Sequence, residues 1–423
     1  MLPISLFRQD KERVLQGLQK RNFKDIDLVD QVVATDERRR QLQAENDHLL
    51  ATINAASKEI GQLMAKGEKE AAEARKAAVA AQRNQVKDLA TQLSETELQL
   101  QEILQRIPNL PHSSVPAGKT PEENEVVSEE GEKPDLAGQK LPHWELAARY
   151  KLIDFELGTK ITGSGFPVYT GQGARLQRAL ITYFLDYNTR AGYTEYCPPY
   201  MVNEASAYGT GQLPDKEGQM YHVTLDNFYL IPTAEVPVTN IYRDEIVPAE
   251  KLPVKMTAYT PCFRREAGSY GKDVRGLNRL HQFDKVEIVQ LTRPADSYHA
   301  LEEMVAHVAG LLRSLELPFR ILRLCGGDMG FTSALTYDFE VWSAAQERWL
   351  EVSSVSNFES FQANRMKIRY RNEQGKTELL HSLNGSSLAL PRILAALLEN
   401  HQSPSGIRIP QALQTYFGSD AIR

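Results

Sequence analysis

Only three cysteines occur in 423 residues, Cys197, Cys262 and Cys325, and no two of them make a CxxC pair. A disulfide frame and a cysteine zinc site are therefore not expected, and a reducing, cytoplasmic setting is. Long apolar runs are missing too, none approaching the roughly 18 residues that a spanning helix needs. The N-terminal Met1-Leu-Pro-Ile-Ser-Leu-Phe meets Arg8, Asp10, Lys11 and Glu12 at once. With no basic stretch before an apolar core, neither an export signal nor a membrane partner is expected. No GxxxxGKS or GxxxxGKT occurs, which excludes a P-loop, and Gly163/Gly165 and Gly171/Gly173 lack a GxGxxG context and read as turns. The nine histidines show no metal-ligand spacing, so no zinc is expected. Net charge is only −6. Any nucleic-acid contact would need a local basic surface rather than a global field.

What is present is the composition of a globular protein, 42% hydrophobic and 25% charged, in a chain long enough for two or three domains. Between residues 28 and 107 a step of four and three residues picks out Leu28, Val32, Thr35, Arg39, Leu42, Asn46, Leu49, Ile53, Ala56, Ile60 and Leu63. Counting back from Ile107 gives Ile103, Leu100, Thr96, Leu93, Leu89, Val86, Gln82, Val79, Arg75 and Ala72. Such alternation marks a coiled coil, and Gly61 and Gly67 fall where a reversal is needed. An antiparallel helical hairpin follows, each arm roughly 50 Å long at 1.5 Å per residue. Its Arg and Lys are outnumbered by acidic residues, so by itself it reads equally as a spacer, a dimerisation element or an RNA contact.

Residues 108–142 change composition, with six prolines among Glu122, Glu123, Glu125, Glu129, Glu130 and Glu132, and read as a linker or irregular extended segment. Residues 143–423 mix a helical stretch at 175–190 with strand-like runs at 228–231, 255–263, 280–290 and 349–356. The order is not a regular βαβ repeat, which predicts an α+β domain on a mainly antiparallel sheet. The expected division is thus 1–107, with the arm over about 28–107, then 108–142, then 143–423.

The densest chemistry lies between Cys262 and Glu287, where two strand-like ends enclose a loop rich in Arg, Lys and Gly: Arg264-Arg265-Glu266, then Arg275, Arg279 and His281-Gln-Phe283. Guanidinium forks with glycines between them suit a polyphosphate. This stretch resembles motif 2 of class II aminoacyl-tRNA synthetases in its seryl form. Gly192-Tyr-Thr-Glu-Tyr-Cys-Pro-Pro resembles the end of motif 1, a dimer element. Glu351-Val-Ser-Ser and Leu383-Asn-Gly-Ser-Ser-Leu-Ala-Leu-Pro-Arg392 resemble the two parts of motif 3. Ile231-Pro-Thr-Ala-Glu235 resembles the TxE serine loop, and the helical hairpin resembles the tRNA arm. The resemblance to the bacterial seryl-tRNA synthetase family thus covers essentially the whole chain, and the class I signatures HIGH and KMSKS are missing.

The resemblance implies roles. Arg264, Arg279 and Arg392 would be catalytic, Arg264 bridging the amino-acid carboxylate and the ATP α-phosphate while the other two hold the triphosphate. Arg265, Leu280, Val352 and Ser353 would complete the ATP contacts, with Glu266 reading the adenine amino group and Phe283 stacking on the ring. Glu351 and Ser354 would offer oxygens to Mg²⁺. Thr233, Ala234 and Glu235 would receive the serine ammonium group, with Glu287 and Ser386 left for the hydroxyl. Partners would be ATP, L-serine, tRNA(Ser) and a second subunit, and charging of tRNA(Sec) stays open. Ser387, Pro391 and Asn364 stand where the family more often has two glycines and an arginine. The alternatives are a catalytically silent RNA-binding homologue, which should have lost these arginines or oxygens, and an amino-acid:carrier-protein ligase, which should lack the hairpin.

Overall fold

The computed structural model describes residues 1–136, 138, 140–215, 217–266 and 275–423. Residues 267–274, the centre of the glycine-rich loop, lie outside that set. The chain divides into two compact units, residues 2–19 with 23–108, and Met1 and residues 20–22 with 109–423.

The smaller unit opens with two short helices, α1 (Ile4–Gln9) and α2 (Lys11–Lys20), followed by α3 (Leu28–Lys66) and α4 (Lys69–Gln105). The last two are 39 and 37 residues long and pair along their length, as the stripe predicted. Arg38 reaches Gln92 at 3.2 Å and Arg75 pairs with Glu59 at 2.9 Å, which fixes the antiparallel register. Ile53, Ala56 and Val79 form a cluster, with Leu49, Ile60 and Val86 packed against it. The reversal sits at Gly67 alone, with φ 82°. Its lack of a Cβ makes that left-handed cap inexpensive. Gly61, expected near the break, lies inside α3, because one tolerant residue suffices to turn the chain. Near the root, Asp36 is 1% exposed and accepts two hydrogen bonds from Arg8, at 2.6 and 2.7 Å. Those bonds hold its carboxyl below the usual range against the cost of burial, with Arg39 adding to the pull.

The larger unit is built on an eight-stranded sheet. Its strands are β1 (Glu125–Glu130), β2 (Thr194–Glu195), β3 (Val254–Phe263), β4 (Gln282–Thr292), β5 (Phe319–Arg323), β6 (Leu335–Ser343), β7 (Arg348–Asn357) and β8 (His381–Ala389). The spatial order is β1-β5-β6-β7-β8-β4-β3-β2, antiparallel except where β2 joins β3. The predicted antiparallel α+β domain is observed. Residues 108–142 are more than a linker, since β1 extends the sheet edge by pairing with β5. The polar, proline-spaced composition hid a strand whose partner lies about two hundred residues away.

Four helices bear on the site: α5 (His143–Arg149), α6 (Gly171–Arg190), α7 (Phe361–Met366) and α8 (Leu390–Asn400). Helix α8 is apolar on nearly every side, as a helix inside a core must be. Only Arg392 of its residues is not fully buried. Pro391 sits in its first turn, where the missing N–H costs nothing. Strand β4 sorts its side chains by parity. Val286 and Ile288 enter the main core with α6 and α8, whereas Val289 and Leu291 join a second cluster with Ala234 and Val238. Lys285 and Glu287 share the second parity, so a strand that is apolar at 286, 288, 289 and 291 delivers two charges to one face.

Candidate active site

The β3–β4 hairpin supplies the first group. It is in register from Val254↔Leu291 to Phe263↔Gln282, and the Arg264 N–H donates to the His281 carbonyl at 2.9 Å. Arg264 leaves the strand end with its guanidinium 5.2 Å from the Phe283 ring centroid and its Nε 3.4 Å from the Pro232 carbonyl. Arg265 turns its guanidinium over Tyr221 at 5.9 Å. Glu266 accepts from Arg279 across the hairpin mouth at 2.8 Å. Leu280 and Val352 both put their side chains into the main core, so only their backbones can face a nucleotide.

A second group lies against the first. Thr233, Glu235, Glu287 and Ser386 are 5%, 9%, 2% and 8% exposed, and Glu287 lies directly opposite Ser386 in the β4–β8 ladder. Ala234 packs into the second cluster and carries its neighbours on a fixed backbone. The Glu235 N–H donates to the Thr233 hydroxyl at 3.2 Å. Lys285 was not singled out in the sequence, yet its Nζ bridges Thr233 Oγ1 at 2.8 Å and Glu287 at 2.6 Å. Gln362 of α7 was also missed, and its Nε2 donates to Glu235 at 2.6 Å. Lys285 could have been found from its spacing, two residues from Glu287 and hence on the same strand face. Gln362 could not, being 127 residues from Glu235 in sequence.

Burial pushes the Glu235 carboxyl up to about 7, and the nearby Glu287 adds to the rise, while Gln362, Lys285 and Asn384 pull it back. A carboxylate held this high is poised to receive a cation.

A third group surrounds the β6–β7 pair. Ser354 faces Asp338 and Glu351 faces Glu340 across the ladder. Ser353 instead donates to the Ser386 carbonyl at 2.6 Å, tying this pair to the pocket that holds Ser386 and Glu287. Asp338 Oδ1 is buried without a hydrogen-bond partner. Burial and then Glu351 push the Asp338 carboxyl up, against the Ser354 hydroxyl. Hard oxygens with an unmet acceptor among them suit a hard cation. Among the described residues no three His, Cys, Asp or Glu side chains converge on one point, so such an ion would complete its shell from phosphates. Arg392 closes the group, its Nε 3.1 Å from the Asn278 carbonyl and its Nη1 2.6 Å from the Glu351 carbonyl.

The departures from the resembling pattern have local explanations. Ser387 is fully buried and donates to Asn188 Oδ1 at 2.8 Å, and Asn364 donates to the Met1 carbonyl at 2.8 Å.

An antiparallel sheet carrying arginines at a hairpin mouth and at a helix start, around a small buried polar pocket, is the architecture of a class II synthetase core. Residues 221–401 match the family described as the tRNA synthetase class II core domain (G, H, P, S and T), and residues 1–111 match the seryl-tRNA synthetase N-terminal domain. A serine–tRNA ligase of Salinibacter ruber is 52% identical, over 99% of this chain and 98% of its own. One from Neisseria meningitidis is 47% identical, over 100% and 99%. Among solved structures, seryl-tRNA synthetase from Pyrococcus horikoshii complexed with ATP superposes with a TM-score of 0.93 at 32% identity, covering 100% of this chain and 99% of that one. The chain belongs to the seryl-tRNA synthetase family. No described helix is long and apolar enough to cross a membrane.

Proposed function

We propose that this protein activates L-serine with ATP and transfers the seryl group to tRNA(Ser) in the cytoplasm. The observation that carries the reading is the buried Thr233–Glu235–Glu287–Ser386 pocket lying beside Arg264. The group is buried and made of hydrogen-bonding side chains. It would hold a small hydroxylated amino acid and reject alanine, since a lost hydroxyl leaves buried polar atoms unpaired. Glu235 with Thr233 receives the ammonium group, and Glu287 with Ser386 receives the hydroxyl. Lys285 neutralises Glu287 until substrate enters.

Arg264 bridges the serine carboxylate and the α-phosphate and offsets the repulsion as the two anions meet. A carboxylate oxygen attacks the α-phosphorus, pyrophosphate leaves, and Arg279 and Arg392 hold the departing oxygens. Phe283 and Glu266 seat the adenine. The terminal ribose hydroxyl of tRNA then attacks the seryl carbonyl and AMP leaves. No protein nucleophile is needed, because placement and fixed charge do the chemistry. Glu351 and Ser354, with Asp338 beside them, would hold the Mg²⁺ that accompanies ATP, an ion that neutralises phosphate charge.

A homodimer is part of the reading. Strand β2 is a sheet edge, and Tyr200 and Met201, five and six residues beyond it, and Phe228 are 43%, 50% and 41% exposed. Sedimentation at nanomolar to micromolar concentration tests it, and a monomer throughout would remove it.

Serine-dependent ATP–pyrophosphate exchange separates this reading from its rivals. A silent homologue gives no exchange, and a carrier-protein ligase gives exchange without aminoacylation of tRNA.

The state of Glu235 makes two further predictions. With the free carboxyl near 7, serine must displace its proton, so the KM for serine should rise as pH falls below about 7 and level off above it. Calorimetry in buffers of different ionisation enthalpy should register proton release on serine binding near pH 6.5. A KM flat from pH 6 to 8 would remove Glu235 from the ammonium site. The raised carboxyl binds its proton better folded than unfolded, so its stabilising contribution is present at low pH and lost as pH rises through about 7. At pH 8, Glu235→Gln should therefore raise the unfolding temperature while abolishing serine activation.

A further inference from the structure

Against residues 277–278, on the returning limb of the β3–β4 hairpin, lies a buried polar network whose central residues touch none of the proposed substrates. Its centre is Glu399 in α8, with a side chain 0% exposed, paired with His143 at the start of α5, also 0% exposed. Glu399 Oε1 accepts from the His143 backbone N–H at 3.0 Å, from His143 Nδ1 at 2.8 Å and from Gln346 Nε2 at 3.1 Å. Its Oε2 accepts from the Ser343 hydroxyl and from the Ala345 N–H.

Two arms run from this centre to the returning limb of the hairpin. In the first, the Leu277 N–H donates to His143 Nε2 at 2.9 Å. Nε2 is therefore the acceptor and Nδ1 carries the hydrogen, so both ring nitrogens are engaged in one fixed tautomer. In the second, Asn278 Nδ2 donates to Gln346 Oε1 at 3.1 Å. Asn278 in turn accepts Arg392 Nε through its carbonyl, and Arg279 follows it in sequence. The neighbouring contacts agree. Gly276 has φ 67°, and a Cβ there would come within 2.2 Å of His143 Nε2, while Arg275 stacks on Trp144 at 4.7 Å. Arg392 and Glu399 are seven residues apart on α8, on one helix face and about 10 Å apart along the axis.

A carboxylate buried in a polar network is no better for stability than apolar packing of the same volume. What it adds is geometry: Ser343 and Ala345 anchor Glu399, Arg348 shares Gln346 Oε1, and the two arms end on residues 277 and 278, the latter bonded to Arg392. We propose that His143 and Glu399 form a strap that sets the limb 277–279 and, through Asn278, the guanidinium of Arg392 where the ATP triphosphate is held. His143 is a positioning residue and touches no substrate. The proposal rests on the reading that Arg279 and Arg392 bind the triphosphate.

The test uses pyrophosphate exchange by the full-length protein, with KM for ATP, KM for serine, kcat and unfolding temperature measured for each variant. In His143→Asn the amide replaces Nδ1, so Glu399 stays partnered while Leu277 loses its acceptor. In His143→Gln the carbonyl replaces Nε2, so Leu277 is kept while the donor to Glu399 is lost. The expected result is a KM for ATP raised roughly tenfold in His143→Asn, at the modest end of what ångström-scale misplacement costs, with KM for serine and unfolding temperature near parental. His143→Gln should behave oppositely, unfolding earlier with a KM for ATP closer to parental. Gln346→Met, at a half-buried position, cuts the second arm and should also raise KM for ATP alone, which keeps the test open if His143→Asn does not fold. Parental KM for ATP in folded His143→Asn and Gln346→Met overturns the strap, and so does an equal rise in both KM values. Arg279→Ala and Arg392→Ala are the controls. If they also leave KM for ATP unchanged, the triphosphate reading itself fails and the strap falls with it; if they raise it while the strap variants do not, only the strap is lost.

Discussion

Replacing Arg264 with alanine is expected to lower serine-dependent pyrophosphate exchange by about 10³ in kcat, equivalent to about 4 kcal/mol of transition-state stabilisation, the upper end for one preorganised donor. The reason is where negative charge accumulates. As the serine carboxylate closes on the α-phosphate, two anions share a volume from which water is excluded, and a fixed cation is worth most there. Arg264 is fixed before substrate arrives, with its ring contact to Phe283 and its Nε against the Pro232 carbonyl. Arg264→Lys tests the geometry separately from the charge. An ammonium group cannot form both oxygen contacts, so this variant should recover only a small part of the loss. Binding of ATP alone should change little in either variant, because Arg279 and Arg392 remain. If Arg264→Ala exchanges within about threefold of parental while unchanged in melting, the bridging role is wrong.

How much of this was legible in the sequence differs between the two units. The hairpin is a local, periodic object, and its two stripes, Leu28 to Leu63 and Ala72 to Ile107, were enough to place both helices within a few residues. Part of the proposed site was legible as a motif because the β3–β4 hairpin keeps Arg264, Phe283 and Glu287 close in sequence as well as in space. What escaped was contributed from far away. Strand β1 pairs with β5 from inside a proline-rich stretch, Gln362 reaches Glu235 from α7, and Asp338 faces Ser354 across a ladder. Each is a polar residue or strand whose meaning comes only from a partner that periodicity does not reveal. The start of α8 is an intermediate case. Pro391 marks it to within one residue, because a proline tolerated in a helix belongs in its first turn.

The buried pocket has a further consequence for specificity. On the proposed reading alanine would be refused because Glu287 and Ser386 would lose a hydrogen-bond partner. Threonine can satisfy the same hydrogen bonds and must be refused by space alone. Glu287, Ser386 and Thr233 are each under a tenth exposed, and Lys285 lies between Thr233 and Glu287, bonded to both. An added methyl would have to displace a charged, doubly bonded side chain rather than a flexible apolar one. The discrimination against threonine therefore resides partly in Lys285. Lys285→Met, which keeps the length and removes both bonds, should narrow the serine/threonine ratio of kcat/KM besides lowering the serine rate, and an unchanged ratio would return the selection to pocket volume alone.

Excising residues 43–88 and closing α3 onto α4 with a short glycine linker should leave pyrophosphate exchange within about twofold of parental, yet lower kcat/KM for tRNA by about 10³, the scale that loss of several phosphate contacts brings. The cut is chosen from the register. Arg38 meets Gln92, so the trimmed hairpin keeps its natural pairing at the new tip. It also keeps the buried root residues Leu28, Val29, Val32, Leu100, Ile103 and Leu104 and the Asp36–Arg8 pair, so the unit should still fold. No residue proposed to touch ATP or serine lies in the excised stretch. With exchange retained, the deletion acts through a macromolecule long enough to reach the arm, which for this reading is the tRNA. The arm's mixed charge favours recognition by shape and a few phosphate contacts over a broad basic field, so the parental tRNA KM should have a modest salt slope. A trimmed protein that aminoacylates normally would make the hairpin a spacer. One that loses exchange as well would show that the arm supports the catalytic unit's folding, and the division of labour between the two units would be wrong.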